Sequence, residues 1–349
     1  MDAGAALKRI GFLLERSGAP TYRALAFRRA AEAIAALEPG ALEKLAARGA
    51  LRTLPGIGAT TETVIMEALA GQTPGYLARL EADPPPFAGA GDALRAALRG
   101  DCHTHSLWSD GVSPIIDMAQ AARSLGHEYL VLTDHSPRLT VANGLTTERL
   151  LDQLDEIAAV NAQLAAEADA GAAPFRVLTG IEVDINEDGT LDQSPEVLAA
   201  LDIVVGSVHS KLRSPRDVMT RRMLTAVRDP HLDILGHCTG RLVVGRGRPQ
   251  SEFDAAAVFA ACRDNDVAVE INCRPERKDP PRDLLRLAVE LGCRFSIDTD
   301  AHAPGQLAWQ YIGCDRAAEC GVTADRVVNA GPADALLQWR TARRVASLG

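Results

Sequence analysis

The chain is poor in lysine, with four (positions 8, 44, 211 and 278) among its 37 basic residues, and its formal net charge is −9. That balance excludes indiscriminate, charge-driven affinity for nucleic acid. The charge is uneven: residues 1–100 hold 12 Lys and Arg against 10 Asp and Glu, and the remaining positions hold 25 against 36. A mildly basic leading part is compatible with a phosphate backbone, and a carboxylate-rich remainder suits cations. Long hydrophobic runs are missing too. None approaches the ~18 residues of a membrane span, and the opening Met-Asp-Ala-Gly-Ala-Ala-Leu-Lys has no signal-peptide core. The seven cysteines are odd in number and form no CxxC pair. No disulfide framework is expected, and the thiols read as reduced, small core residues of a cytoplasmic protein.

What is present is a globular composition, 47% hydrophobic and 24% charged, over 349 residues, a length suited to two domains. Residues 1–82 read as helical, with apolar residues at three- and four-residue steps over 5–17, 22–37, 42–47 and 60–70. Residues 83–97, opening on Asp-Pro-Pro-Pro, break that period and read as a linker. From 98 to 349, short apolar runs alternate with helix-like segments. The runs are 98–103, 129–135, 175–182, 202–209, 232–237, 267–272 and 294–302. Continuous apolar runs are typical of buried parallel strands, and strands alternating with helices suggest βαβ units of an α/β domain. When such strands close into a barrel, their C-terminal ends meet at one face, which carries the chemistry.

Each run ends in His, Asp, Glu or Asn. His103 and His105 close the first and, two apart, point to the same side of a strand. Asp110 follows in Ser109-Asp110-Gly111. Asp134 and His135 end the second run, Glu182 the third, His209 the fourth and His237 the fifth; Asp300 and His302 repeat the two-residue spacing on the last. His103, His105, Asp110, His135, Glu182, His209, His237, Asp300 and His302 are nine candidate metal ligands. Imidazole with carboxylate suits Zn²⁺, Mn²⁺ or Fe²⁺. One ion needs about four to six ligands, so nine imply two or three ions, with Glu182 able to bridge. Closely spaced ions can clamp the oxygens of a phosphoryl transfer, and the expected nucleophile is a metal-bound hydroxide. Six of the eight histidines fall at strand ends; His127 and His231 lie outside the pattern and read as structural or surface residues. Lys211, Arg241, Arg274 and Arg277 follow the strand ends closely enough to hold a substrate phosphate, and Arg246 and Arg248 lie in a Gly-rich loop. Asn272 and Asp298 can orient ligands from their own strands, and Asp134 can do so beside His135.

The ordered set His103-Thr-His105, Ser109-Asp110-Gly111, Thr133-Asp134-His135, Gly180-Ile181-Glu182, Gly206-Ser207-Val208-His209, Gly236-His237 and Asp300-Ala301-His302 resembles the polymerase-and-histidinol-phosphatase (PHP) superfamily. The resemblance covers roughly residues 98–340. It implies a distorted (β/α)7 barrel, a trinuclear metal site and phosphoester hydrolysis. It also implies a partition of ligands: His103, His105, Glu182 and Asp300 on one ion, Glu182, His209 and His237 on a second, and Asp110, His135 and His302 on a third. Asp233-Ile-Leu-Gly-His237-Cys-Thr-Gly-Arg241, Val269-Glu270-Ile-Asn272 and Ile297-Asp-Thr-Asp300-Ala-His302 look most like the PHP domain of bacterial X-family DNA polymerases. There the domain is a manganese-stimulated 3′–5′ exonuclease and DNA-end phosphoesterase.

Leu54-Pro55-Gly56-Ile57-Gly58, between two helical stretches, looks like a helix-hairpin-helix. Its glycines allow a tight turn, and backbone N–H groups of Gly56, Ile57 and Gly58 would meet a phosphate oxygen without reading bases. With Tyr22 to Arg29 the stretch is similar to the small DNA-binding domain of those polymerases. Where that family can carry a lyase lysine this chain has Val64, and 59–69 contain no lysine, so no Schiff-base lyase is expected. The interval between the two similar regions leaves no room for a polymerase palm, so no templated synthesis is expected. Three functions follow. The first is a metal-dependent phosphoesterase on DNA ends or gaps, recognised without regard to sequence. The second is a small-molecule phosphatase of the histidinol-phosphate type, and the third a non-catalytic DNA-binding protein. The physiological metal and oligomeric state are not legible.

Overall fold

A computed structural model describes residues 2–82 and 89–346. Two compact units are distinguished, one of Met1–Phe87 with Ala303–Gln306, the other of Ala88–His302 with Leu307–Gly349. Among its described residues the first has five α-helices: α1 (Ala3–Arg16), α2 (Thr21–Ala35), α3 (Ala41–Ala47), α4 (Ala59–Leu69) and α5 (Gly75–Glu81). The carboxylate of Asp2 accepts the N–H of Ala5 and caps α1. Leu7, Ile10, Leu14, Phe27, Ile65 and Leu77 form a common core, the stripe expected of amphipathic helices. Within that core the buried Glu15 carboxylate accepts two hydrogen bonds from Arg28, at 2.6 and 2.7 Å.

The hairpin lies between a short 3₁₀ turn, Leu51–Thr53, and α4. Gly56 has φ +87°, and a Cβ there would press on the Arg29 side chain and carbonyl at 3.4 Å, so glycine is required. Gly58 is extended and has open space around it. Val64 is buried in the helical core.

The second unit opens with α6 (Asp92–Ala97) and a strand, β1 (Gly100–Thr104). The helix corrects the linker expectation: residues 92–97 are helical because Leu94 and Leu98 bury one side against the barrel core, a period too short to stand out beside the prolines. Residues 83–88 of the expected linker lie outside the described residues. Strands β2 (Tyr129–Leu132), β3 (Arg176–Asp184), β4 (Ile203–Ser207), β5 (Ile234–Leu235), β6 (Ala268–Asn272) and β7 (Phe295–Asp298) alternate with α7 (Ile115–Ser124), α8 (Thr147–Asp169), α9 (Pro195–Ala200), α10 (Arg216–Val227), α11 (Ala255–Asp264) and α12 (Arg282–Glu290). The helices α13 (Gln310–Glu319) and α14 (Ala333–Ala346) follow.

All strand pairings are parallel and in sequence order, β1-β2-β3-β4-β5-β6-β7. The seam between β1 and β7 is carried by one parallel bridge, Thr104 with Ala301, and the His105 N–H to the Ala301 carbonyl at 2.8 Å. Carboxylates reinforce it: Asp298 accepts the Cys102 N–H at 2.7 Å and Asp101 the Thr299 hydroxyl at 2.5 Å. The result is a nearly closed seven-stranded parallel barrel, as the resemblance implied, with the helical hairpin domain N-terminal to it in sequence. Lumen residues Cys102, Val131, Leu178, Val205 and Ala268 pack on Val328 and Leu336, so the segment leading to α14 closes the end where the strands begin. All seven cysteines are buried and free, and among the described residues no helix is long and apolar enough to cross a membrane.

Candidate metal centre

The open end of the barrel gathers all nine proposed ligands. Glu182, at 1% exposure, stands at the middle. Its Oε2 lies 2.9 Å from His135 Nδ1, 3.2 Å from His103 Nε2 and 3.6 Å from His105 Nε2; its Oε1 lies 2.9 Å from His237 Nε2 and 3.2 Å from His209 Nε2. Beyond it, His105 Nε2 is 3.4 Å from Asp300 Oδ1, and Asp110 Oδ1 is 3.2 Å from His302 and 3.5 Å from His135.

Five imidazoles crowd two carboxylate oxygens, yet only His237 makes a well-directed hydrogen bond to Glu182. His103 Nε2, both nitrogens of His105 and His209, His135 Nδ1 and Glu182 Oε2 are buried without a hydrogen-bond partner. Orphaned buried polar atoms are rare because each is costly. Here each orphaned imidazole keeps a nitrogen able to offer a lone pair beside an orphaned carboxylate oxygen, a donor set that suits divalent cations. Four groups have donor atoms close enough to share an ion: His105, Asp110, His135 and His302; His103, His237 and Asp300; His103, His105 and Glu182; His135, Glu182 and His209. The grouping differs from the partition the resemblance implied. His237 falls with His103 and Asp300, and His135 stands beside Glu182 and His209, because Glu182 is central enough to face every imidazole but His302.

The electrostatics follow from burial and this crowding. Burial pushes the Glu182 carboxyl up, but His103, His135 and His209 more than offset it and hold it well below the usual range. Burial lowers His103 and His209, and the facing carboxylates overcome it, raising His209 to about 9. His105 moves the other way, lowered by burial and by His302 and His135.

The supporting layer is built by the two-residue period of the strands. Asn272 donates to Asp300 at 3.1 Å, as its strand position suggested. Asp134 holds the loop that carries Asp110, accepting Ser106 N–H and Oγ–H at 2.8 and 2.6 Å, Ser109 Oγ–H, and Gln153 Nε2–H at 2.7 Å. It does so without touching the His135 ring. Asp298 braces the seam and Asn329 (3.1 Å) but no ligand side chain. Two carboxylates passed over in the sequence are closer to the ligands. Glu270 accepts from His103 Nδ1 and from the His237 N–H, both at 2.5 Å, which fixes the His103 tautomer with Nε2 free to bind. Asp184 accepts the His209 N–H at 3.1 Å.

The cationic residues divide. Arg277 Nε is 3.2 Å from Asp300 Oδ2, and Arg274 is 3.4 Å from Asp300 Oδ1 and 2.9 Å from His302 Nδ1, so both border the centre. Arg241 instead donates to the Arg277 carbonyl at 3.0 Å and to the Lys278 carbonyl, bracing a loop with its guanidinium. Lys211 is exposed, with left-handed backbone (φ 53°), beyond His209. At the helical hairpin, Ile57 N–H goes to the Leu54 carbonyl (3.2 Å) and Gly58 N–H to Thr61 Oγ1 (2.9 Å), so two of the three amides expected to face a phosphate are engaged within the turn. His127 is buried on the closed side of the barrel and His231 pairs with Asp229.

A barrel of this order with this constellation defines a hydrolase of phosphoester bonds, and the family match agrees. The PHP domain family matches residues 101–274 and the helix-hairpin-helix domain family residues 2–74. The chain belongs to the PHP family. It is similar to the DNA polymerase/3′-5′ exonuclease PolX of Bacillus subtilis (strain 168), 41% identical over 233 residues, 67% of this chain but 39% of that enzyme's length. It is also similar to a probable phosphatase of Thermoanaerobacter sp. (strain X514), 28% identical over 66% of this chain and 89% of that protein. A histidinol phosphate phosphatase from Lactococcus lactis, crystallised with zinc, L-histidinol and phosphate, aligns at 18% identity with TM-score 0.44, covering 64% of this chain and 94% of that one.

Proposed function

We propose that this chain hydrolyses phosphoester bonds at DNA ends, as a 3′–5′ exonuclease or an end-processing enzyme, with two or three Zn²⁺, Mn²⁺ or Fe²⁺ ions held by His103, His105, Asp110, His135, Glu182, His209, His237, Asp300 and His302. The observation that carries it is the convergence of five imidazoles on Glu182 beside two arginines, in a chain that also has a helix-hairpin-helix domain. Divalent ions bound there supply Lewis acidity toward phosphoryl oxygens and a nucleophile from water at neutral pH.

The protein's own groups do the rest. Arg274 and Arg277 present guanidinium N–H donors to the non-bridging oxygens of the scissile phosphate. Asn272 and Glu270 keep Asp300 and His103 in place. The hairpin domain holds the substrate nearby, with backbone amides at the first turn of α4 meeting a phosphate, and tethering raises the effective concentration of an end at the barrel. The similarity to the Bacillus enzyme supports a DNA substrate.

A second reading is a small-molecule phosphatase. The acidity of residues 101–349 and the likeness to probable phosphatases along 89% of such a protein's length favour it. One experiment separates the two. Metal-loaded protein is incubated with labelled DNA and with histidinol phosphate, and then repeated as His103→Ala and with residues 1–90 deleted. DNA cleavage lost in the first variant and weakened in the second supports the DNA reading. Cleavage of histidinol phosphate alone, indifferent to the deletion, supports the phosphatase.

A further inference from the structure

The connection from β5 to α11 holds a feature that the metal centre leaves unused. Leu242 and Arg248 pair as an antiparallel bridge, exchanging N–H···O bonds of 2.9 and 2.8 Å, and the five residues between them form a projecting tip. Gly245 and Gly247 turn it with φ of +67° and +63°. At the tip Val243 and Val244 are 48% and 60% exposed. The neighbouring Arg246 is exposed and makes no hydrogen bond or ion pair among the described residues. Adjacent exposed valines on an ordered turn cost solvation with no return in folding, which marks a contact surface.

The base of the hairpin is tied to the mouth. Val243 N–H bonds the Glu276 carbonyl at 2.7 Å, and Arg241 bonds the Arg277 carbonyl. The 274–277 turn in question supplies the two arginines that touch Asp300. The tip therefore stands on the rim directly beside the candidate centre.

His103, His105 and Glu182 are nearly inaccessible, so a scissile phosphate has to descend past that rim. One strand with an unpaired end can do so; a paired end brings its complement against the tip. Resting on the DNA reading above, we infer that the 242–248 hairpin opens the last base pair of a duplex, Val243 and Val244 replacing the lost stacking contact and Arg246 taking a phosphate of the displaced strand. Apolar side chains that enter a base step, with arginine on the adjacent phosphates, are an established way for proteins to unstack nucleic acid. The opposite charge of the strand and of Arg246 and Arg248 selects this occupant over an apolar protein surface.

The test uses the full chain with manganese and the double variant Val243→Ser/Val244→Ser. Three substrates are compared: bis(p-nitrophenyl) phosphate, a labelled single strand, and the same strand in a blunt duplex. The variant is expected to match the native protein within about twofold on the first two and to fall about tenfold or more on the duplex. Without added metal, a 2-aminopurine in the terminal pair should brighten on binding the native protein and not the variant. Equal losses on single strand and duplex, or no loss on the duplex, overturn the inference. A native protein that cleaves single strands and leaves blunt duplexes intact also overturns it, while the DNA reading stands. Hydrolysis of the small diester with neither DNA form cleaved ends the DNA reading and this inference together. A native dimer that the variant converts to monomers assigns the valines to a second copy and overturns the strand-opening role.

Discussion

Two buried clusters of charge face opposite ends of one barrel. At the closed end, Asp233 just before β5 receives Arg343 at 2.7 Å on one oxygen and Arg344 at 2.6 Å on the other, and its Oδ2 also accepts the Val204 N–H at 2.9 Å. Arg343 and Arg344 donate their remaining N–H groups to the carbonyls of Pro230 (2.6 Å) and Leu198 (3.2 Å). At the open end, Glu182 is as deeply buried and has five basic nitrogens around it, but most of those contacts form no hydrogen bond. A saturated network fastens α14 to the strand starts and has no valence left. An unsaturated one of the same burial has donors to offer a cation. Burial and charge alone do not separate structure from chemistry; completeness of hydrogen bonding does.

The sharpest break of this comparison is removal of the open-end donors. His105→Ala, or chelation of the native protein, should lower phosphoester hydrolysis by about a thousandfold or more while circular dichroism stays native. Loss of the fold instead would make the open end as structural as the closed one. Asp233→Ala should do the reverse. It leaves two buried guanidinium groups without a counter-ion, so denaturant titration should show about 3–5 kcal/mol of lost stability, with per-molecule activity kept wherever the variant remains folded. Glu270→Gln removes the charge behind His103 and should weaken metal binding about 10–100-fold, read by isothermal titration calorimetry; unchanged affinity would confine Glu270 to packing.

The last effect is confined to acid pH, and near neutrality it vanishes. His127, buried beside Arg95 on the closed side, has its pKa lowered by burial and by that guanidinium from 6.5 to about 3. As pH falls below 6.5 the unfolded chain takes the proton first, so stability present above that value is lost progressively toward pH 3. His127→Leu should reduce the slope of unfolding free energy against pH by up to about 1.4 kcal/mol per unit in that window. An unchanged slope would mean that the ring is protonated in place.

The strands and the gathering of their end residues were legible because a parallel strand buried on both faces leaves few readings of an apolar run, and a polar residue ending it has to lie at the barrel's rim. Asp300 and His302 were placed at that rim in this way. Glu270, Asp101 and Asp184 were not, since each lies inside a run or just past its ligand. Yet the period that related Asp298 to Asp300 applies to two of them: Glu270 precedes Asn272 by two, and Asp184 follows Glu182 by two, whereas a register shift in β1 separates Asp101 from His103. Arg241 was misjudged for another reason. Nearness to a strand end along the chain does not tell which way a long side chain turns, and neighbouring carbonyls captured it. The short helix 92–97 was hidden by the prolines and glycines before it.

The seam between first and last strands has a consequence for synthesis. Asp101 and Thr299 meet across a sequence separation of 198 residues, and Asp300 joins His103 and His105 only when that seam shuts. A nascent polypeptide short of β7 therefore carries most of the donors but no finished catalyst, and long-range closures of this kind form slowly. Hydrolytic competence therefore arrives only after the ribosome has delivered the final strand.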